Sequence, residues 1–172
     1  MKSPGPKAGT QKRSAARLAA VQALYNAELT NSSADVVLAD FLDHGLGAKA
    51  SIVPEEIDGV EVETALVEPD VVLFTAIVRG TLAALADLDP LVQGALTGDW
   101  TIERLEAVLR AILRAGAFEL LARPDVPPRV AISEYVDVAH AFYAGPEPGL
   151  VNAVLDRIAR VVRSGEILDH AR

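Results

Sequence analysis

Histidines, cysteines and paired carboxylates build most metal and catalytic sites, and they are sparse in this sequence. The three histidines, His44, His140 and His170, stand far apart, and none has a neighbour at the spacing of a metal-ligand set. The chain contains no cysteine, which excludes disulfides, thiolate metal sites and cysteine nucleophiles. We therefore predict no metal site and no cofactor.

Two short motifs resemble catalytic or nucleotide-binding patterns. Asp87-Leu88-Asp89 is a pair of carboxylates, but it stands at a helix junction, where an aspartate commonly caps the next helix. We favour capping of a short helix for this pair. Gly45-Leu46-Gly47 lacks the third glycine and the preceding strand of a nucleotide-binding turn. Neither motif predicts an active site.

Two glutamates stand inside apolar helical runs. Glu119 follows Phe118 in an otherwise apolar run, and Glu134 follows Ser133 in the middle of the next helix. Either could be a buried acid that transfers protons, or a carboxylate that holds an arginine or a helix end. We favour the second interpretation, because no histidine stands where it would complete a serine triad. The sequence predicts no enzyme.

Charge is distributed unevenly along the chain. The net charge is −8, yet five of the 16 basic residues precede the first acid, Glu28. The remaining 11 basic residues and all 24 acids lie in the rest of the chain after Arg17, which has a net charge of −13. Such asymmetry indicates contact with nucleic acid through the basic segment. The acidic remainder repels a polyanion, so we expect local, salt-sensitive binding. The five basic residues are Lys2, Lys7, Lys12, Arg13 and Arg17.

Apolar residues recur at helical spacing through most of the chain, which predicts an all-α fold of about seven helices in two packed bundles. The first helix is predicted from about Lys12 to Leu29, and Ser33 is positioned to cap the second. Thr101 is expected to cap a long helix, and Pro128 to begin the next. The buried stripe of that long helix is predicted to be Leu105, Val108, Leu109, Ile112, Gly116 and Leu120.

The predicted organisation is a single helical domain with flexible ends. Residues 1–11 read as a flexible basic arm, 12–165 as the domain and 166–172 as a tail. Within the domain we expect subdomains at about 12–87 and 88–165, with an insertion at about 43–69 that lacks regular periodicity. No run of 18 apolar residues and no signal-peptide pattern is present, so we expect a cytoplasmic location.

Two blocks of sequence carry a family resemblance. The first is AARLAAVQALY at residues 15–25. The second contains LRAGAFEL at 113–120, DVP at 125–127, VAISE at 130–134, Ala139, Phe142 and VNAVLD at 151–156. In this order the blocks resemble the NusB family of transcription antitermination factors. The resemblance implies two helical bundles that bind boxA RNA of ribosomal leader transcripts together with NusE, a small-subunit ribosomal protein, in an RNA polymerase antitermination complex.

The resemblance also implies positions for the two interfaces. It implies an RNA-binding basic N-terminus, here Lys2, Lys7, Lys12, Arg13 and Arg17, and the motif ends at Tyr25, which either contacts RNA or packs against the core. It implies a NusE contact on the long helix, where Glu103, Glu106, Arg110 and Arg114 lie outside the apolar stripe; an ordinary solvated face would look the same.

Two departures from the family pattern stand out. Gly149 and Leu150 replace a basic residue and a phenylalanine that the family often has there, and the N-terminal lysines are spread among prolines and glycines. Both departures reduce the expected affinity for RNA. A paralogue that binds NusE but has lost autonomous RNA binding is therefore the alternative function.

Overall fold

The computed structural model describes residues 8–44 and 67–168. In this part of the chain all regular structure is helical, with eight α-helices and one 3₁₀ turn and no strand, which confirms the predicted fold class. The helices are α1 Ala8–Thr30, α2 Ala34–Asp43, α3 Val71–Ala83, α4 Leu85–Ala95, α5 Ala107–Ala122, α6 Pro128–Phe142, α7 Glu147–Val162 and α8 Ser164–Leu168, with the 3₁₀ turn at Ile102–Arg104 between α4 and α5.

Helix α1 is longer than its sequence pattern predicts. It begins at Ala8, so residues 8–11, which were expected to belong to a flexible arm, are helical. Residues 1–7 lie outside the described part of the chain. The inner face of α1 consists mainly of buried alanines, among them Ala16, Ala20 and Ala23. Because alanine is small, α3 and α5 can both pack against this face.

Side-chain caps begin the second and third helices. The hydroxyl of Ser33 accepts a hydrogen bond from the Val36 amide at 3.4 Å, which confirms the predicted cap of α2. Asp70 does the same for α3, accepting from the Leu73 amide at 3.0 Å. Most of the predicted insertion, residues 45–66, lies outside the described residues.

The predictions for the α4–α5 region were partly wrong. Helix α4 begins at Leu85 and has no side-chain cap, and Asp89 instead binds Arg114. Thr101 makes no capping hydrogen bond, and α5 begins only at Ala107. The side chain of Arg110 explains the interruption, because its Nη1 donates to the carbonyls of Ile102 and Leu105 at 3.0 and 2.9 Å. Those carbonyls are therefore satisfied without a continuous helix.

Helix α5 is the centre of the core and packs against α1, α6 and α7. Most of its predicted stripe is buried: Leu109, Ile112, Gly116 and Leu120 lie on α5 itself. Leu105, in the preceding turn, is also buried, whereas Val108 is only partly covered. The buried residues form one connected cluster, so the predicted N- and C-terminal bundles share a core through α1 and α5.

A glycine lets α5 approach α7 closely. A Cβ atom added at Gly116 would lie 2.7 Å from a methyl group of Leu155. We expect Gly116→Ala to lower the free energy of unfolding by about 1–3 kcal/mol, because the buried leucine must move in a filled core. Urea unfolding measures this change, with Gly94→Ala as the control, since nothing lies near a Cβ atom there. Equal stability of the Gly116 variant and wild type would contradict the close packing.

The last helices are held together by an arginine. Pro128 occupies the first turn of α6 as predicted. The guanidinium of Arg163, which follows α7, donates to the carbonyl of Leu120 in the last turn of α5 and to three carbonyls of the α5–α6 connection, those of Arg123, Pro124 and Val126. Arg163 also pairs with Glu166 in α8. Helix α8 occupies part of the predicted tail, which is thus not wholly irregular.

No single helix among the described residues has the length and apolar character needed to cross a membrane. Helices α3 and α4 meet those criteria only as a pair that is bent by 83°.

Candidate functional site

The N-terminal end of α1 presents exposed positive charge. Lys12 and Arg13 are both exposed, and the first turn of the helix contains no acid. The position of this end is fixed, because the Lys12 carbonyl accepts a hydrogen bond of 3.0 Å from the Asp70 amide at the start of α3. Two exposed cations close together near the start of the helix attract anions such as phosphate.

Arg17 does not belong to this exposed surface, and its prediction as a phosphate contact was wrong. It lies one turn after Arg13, but it is only 2% exposed. Its Nε and Nη2 atoms donate to the two carboxylate oxygens of Glu119 on α5, at 2.8 and 2.9 Å. Burial opposes the charge, but the hydrogen bond and charge of Glu119 outweigh it and raise the pKa of Arg17. Arg17 is therefore a charged core residue.

A polar network extends from this ion pair to α6. The Tyr135 hydroxyl donates to Glu119 at 2.5 Å, and burial, reinforced by that carboxylate, raises the pKa of Tyr135. Glu134 lies 3.5 Å from Nη1 of Arg17 and accepts a hydrogen bond of 2.8 Å from the Ser14 hydroxyl. This confirms the interpretation of Glu119 and Glu134 as carboxylates that hold an arginine. The network joins α1 to α5 and α6.

Tyr25 lies further along α1 and is half-buried. This intermediate exposure fits either predicted role, a contact to RNA or a side chain packed against the core. Lys2 and Lys7, the remaining predicted RNA contacts, lie outside the described residues.

A cleft of about 940 Å³ lies at the opposite end of α1. Its walls come from the C-terminal part of α1, the α1–α2 turn, α3, the start of α4 and the start of α5. Three of the four residues predicted to contact a partner line it: Glu103, Arg110 and Arg114. The fourth, Glu106, is not part of its lining and instead accepts a hydrogen bond from the Tyr143 hydroxyl.

Two of the three arginines that line the cleft, Arg110 and Arg114, are paired with acids of other helices. Arg110 and Arg114 both bind Glu28 of α1, and Arg114 also binds Asp89 of α4 through two hydrogen bonds of 2.7 and 2.8 Å. The hydrogen bond from Arg110 is the main reason that the pKa of Glu28 is lowered. The side chains of Arg110 and Arg114 are only 14% and 17% exposed. Their surface is thus an ordered cleft wall and not a freely solvated face.

Sequence reasoning missed both acids of this cluster. Glu28 was recognised only as the first acid of the chain, and Asp89 was assigned to a helix cap. The available signal was the spacing of Arg110 and Arg114, which places two cations on one face of α5 and calls for acids on a neighbouring helix. Which acids they meet depends on how α1 and α4 pack.

Comparison with known proteins identifies the family. A sequence profile of the NusB family matches residues 14–160, most of the chain. The chain belongs to the NusB family. The match includes the Arg17–Glu119 pair and the cleft, and it begins immediately after Lys12 and Arg13.

Individual NusB proteins are similar over nearly their full length. Transcription antitermination protein NusB of Rhodospirillum rubrum is 51% identical over 166 residues, which cover 93% of this chain and 90% of that protein. The protein of the same name from Nitrobacter hamburgensis is 48% identical over 155 residues, 90% of each chain. Among solved structures, T. maritima NusB matches with a TM-score of 0.67 and 26% identity, covering 93% of both chains.

Proposed function

We propose that this protein is a non-enzymatic, cytoplasmic transcription antitermination factor that binds RNA. The observation that carries this proposal is the family match across residues 14–160, together with relatives named transcription antitermination protein NusB. The antitermination role comes from those relatives, and the two surfaces described above suggest how this chain would perform it.

The RNA surface in this proposal is the basic end of α1. Lys12 and Arg13 contact phosphates there, together with Lys2 and Lys7 from the preceding segment. Single-stranded RNA also offers unpaired bases, which stack on aromatic rings or guanidinium groups. Tyr25 supplies such a ring about 18 Å further along the helix, at 1.5 Å per residue. The RNA implied by the family resemblance is the boxA element.

The protein surface in this proposal is the cleft at the other end of α1. NusE binds there against Glu103, Arg110 and Arg114, with Glu106 at the margin. The cleft is ordered before binding, because Glu28 and Asp89 already hold the two arginines. Such pre-organisation reduces the entropy lost on association. NusE in turn links this protein to the RNA polymerase antitermination complex.

The alternative function is a protein that binds NusE without binding RNA on its own. Gly149 is exposed and offers no side chain, and Leu150 is partly buried against the core. The positions that carry a basic residue and a phenylalanine in many family members therefore present neither charge nor an aromatic ring here. Binding of boxA RNA to the purified protein, with and without NusE, distinguishes this alternative from the main proposal.

Removing the basic end is expected to weaken RNA binding without unfolding the protein. The variant lacks residues 1–7 and carries Lys12→Ala and Arg13→Ala, both at exposed positions. For single-stranded RNA, each lost phosphate contact reduces the slope of log affinity against log salt by about 0.7. A salt titration of boxA binding measures this slope, and circular dichroism checks the fold.

The control removes two arginines elsewhere. Arg104→Ala/Arg160→Ala alters exposed positions outside α1, and we expect its salt slope to match that of wild type. If both variants bind boxA as wild type does, the basic end is not the RNA site.

A further inference from the structure

Trp100 is the only tryptophan of the chain, and it is exposed. It lies in the loop between α4 and the 3₁₀ turn, and 53% of its surface is accessible to solvent. Tryptophan is a large, mostly apolar side chain that usually gains stability by burial. Its exposure therefore calls for an explanation other than packing within this chain.

Side-chain hydrogen bonds hold the backbone around Trp100 in place. The side-chain amide of Gln93 on α4 spans the loop: Nε2 donates to the Trp100 carbonyl at 3.2 Å, and Oε1 accepts from the Ile102 amide at 2.9 Å. Arg104 donates to the Asp99 carbonyl at 3.3 Å. The loop thus fixes the position from which the indole projects, which lowers the entropic cost of using it as an anchor.

The indole stands beside a notch that adjoins the cleft. Trp100 and Arg104 line this notch with Thr97, Gly98 and Asp99, and its volume is about 750 Å³. The 3₁₀ turn separates the two depressions, since Ile102 and Glu103 line the cleft while Arg104 lines the notch. A partner seated in the cleft would therefore reach Trp100 across a single turn of chain.

The charges on this face favour a protein over RNA. A polyanion requires an excess of cations, but the acids and arginines that line the cleft and the notch are equal in number. The cleft has Glu28, Asp89 and Glu103 against Arg79, Arg110 and Arg114, and the notch has Asp99 against Arg104. Tryptophan and arginine are also enriched at protein interfaces.

We propose that Trp100 is an anchor for the protein partner of the cleft, with its indole buried by an apolar or cationic side chain of that partner. The inference rests on the proposed function, in which that partner is NusE. It adds the notch to the contact surface and assigns a large part of the binding energy to one residue. A single aromatic side chain that a partner buries commonly contributes in this way.

Calorimetry with NusE and full-length protein tests the anchor. We expect Trp100→Ala to weaken the affinity for NusE by about tenfold or more. Trp100→Phe should weaken this affinity less, because an aromatic ring remains. Val161→Ala is the control for loss of an exposed apolar side chain, since Val161 is 73% exposed on α7, and its affinity should equal that of wild type. Circular dichroism should show unchanged helicity in all three variants.

A spectroscopic measurement reads the contact directly. Protein labelled with fluorotryptophan gives a single fluorine resonance, which should shift when NusE is added and stay in place when boxA RNA alone is added. If NusE binds wild type but the resonance does not move and Trp100→Ala binds equally well, the inference is wrong while the proposed partner stands. If NusE does not bind wild type at all, both are wrong. A shift caused by RNA alone would make Trp100 an RNA contact and overturn the inference.

Discussion

Arg17→Met is expected to lower the free energy of unfolding by about 3–5 kcal/mol, because it leaves the carboxylate of Glu119 buried without its partner. Glu119 is fully buried, and both of its oxygens receive hydrogen bonds from Arg17. The Tyr135 hydroxyl would remain as a donor, but a neutral hydroxyl cannot balance the charge. Urea unfolding followed by circular dichroism measures the loss.

Arg13→Met is the matched control for this prediction. Arg13 lies one turn earlier on the same helix and is exposed, so its replacement should change the stability by no more than about 0.5 kcal/mol. A double variant, Arg17→Met/Glu119→Leu, removes both charges together and should recover part of the loss. If Arg17→Met changed the free energy of unfolding as little as Arg13→Met, the ion pair of Arg17 and Glu119 would not be buried as described.

The second large effect that we expect is cooperative binding of RNA and NusE, which follows from the proposed function. The proposed surfaces lie at the two ends of α1, and Arg13 and Glu28 are separated by about 22 Å along the helix axis at 1.5 Å per residue. The network of Arg17 and Glu119 holds α1 against α5, which also forms one wall of the cleft. In the proposed function, NusE and RNA are therefore held at the two ends of one continuous element.

We expect NusE to raise the affinity for boxA RNA by about 5–150-fold, the usual range for coupled sites. Thermodynamic reciprocity requires boxA RNA to tighten NusE binding by the same factor. Calorimetry around the full cycle at one salt concentration measures both factors. The variant Lys12→Ala/Arg13→Ala should lower the affinity for boxA RNA in the free and the NusE-bound protein. Its affinity for NusE in the absence of RNA should stay unchanged. Equal RNA affinity for the free and the NusE-bound protein would instead favour the NusE-binding paralogue.

Helical periodicity predicted most of the elements because each helix buries one face of a shared core. Periodicity could not distinguish the exposed Arg13 from the buried Arg17, since both follow the same spacing in an alanine-rich helix. The distinguishing signal lay elsewhere, in Glu119, a lone acid within an apolar run that requires a buried cation. Sequence alone does not say which cation, because that depends on how α1 and α5 pack over 102 residues of separation.

The boundary of α5 shows a different limit. Thr101 has the right residue type for a cap, and local pattern predicts a helix from there. The side chain of Arg110 donates to the carbonyls of Ile102 and Leu105, so the chain forms only a 3₁₀ turn there and α5 begins at Ala107. A side-chain hydrogen bond to a carbonyl eight residues earlier in the chain produces no signal in the local periodicity. The same arginine also binds Glu28, which couples the end of α1 to the start of α5.

The guanidinium of Arg163 has a consequence for the order of folding. The connection between α5 and α6 contains two prolines and leads into a third at Pro128, and none of the three supplies an amide hydrogen for the carbonyls there. Arg163, which the ribosome adds only after all of α7, binds the carbonyls of Leu120, Pro124 and Val126 here, whereas that of Arg123 also accepts from the Val126 amide. We therefore expect these carbonyls to remain hydrated during synthesis until Arg163 docks at the end of α7.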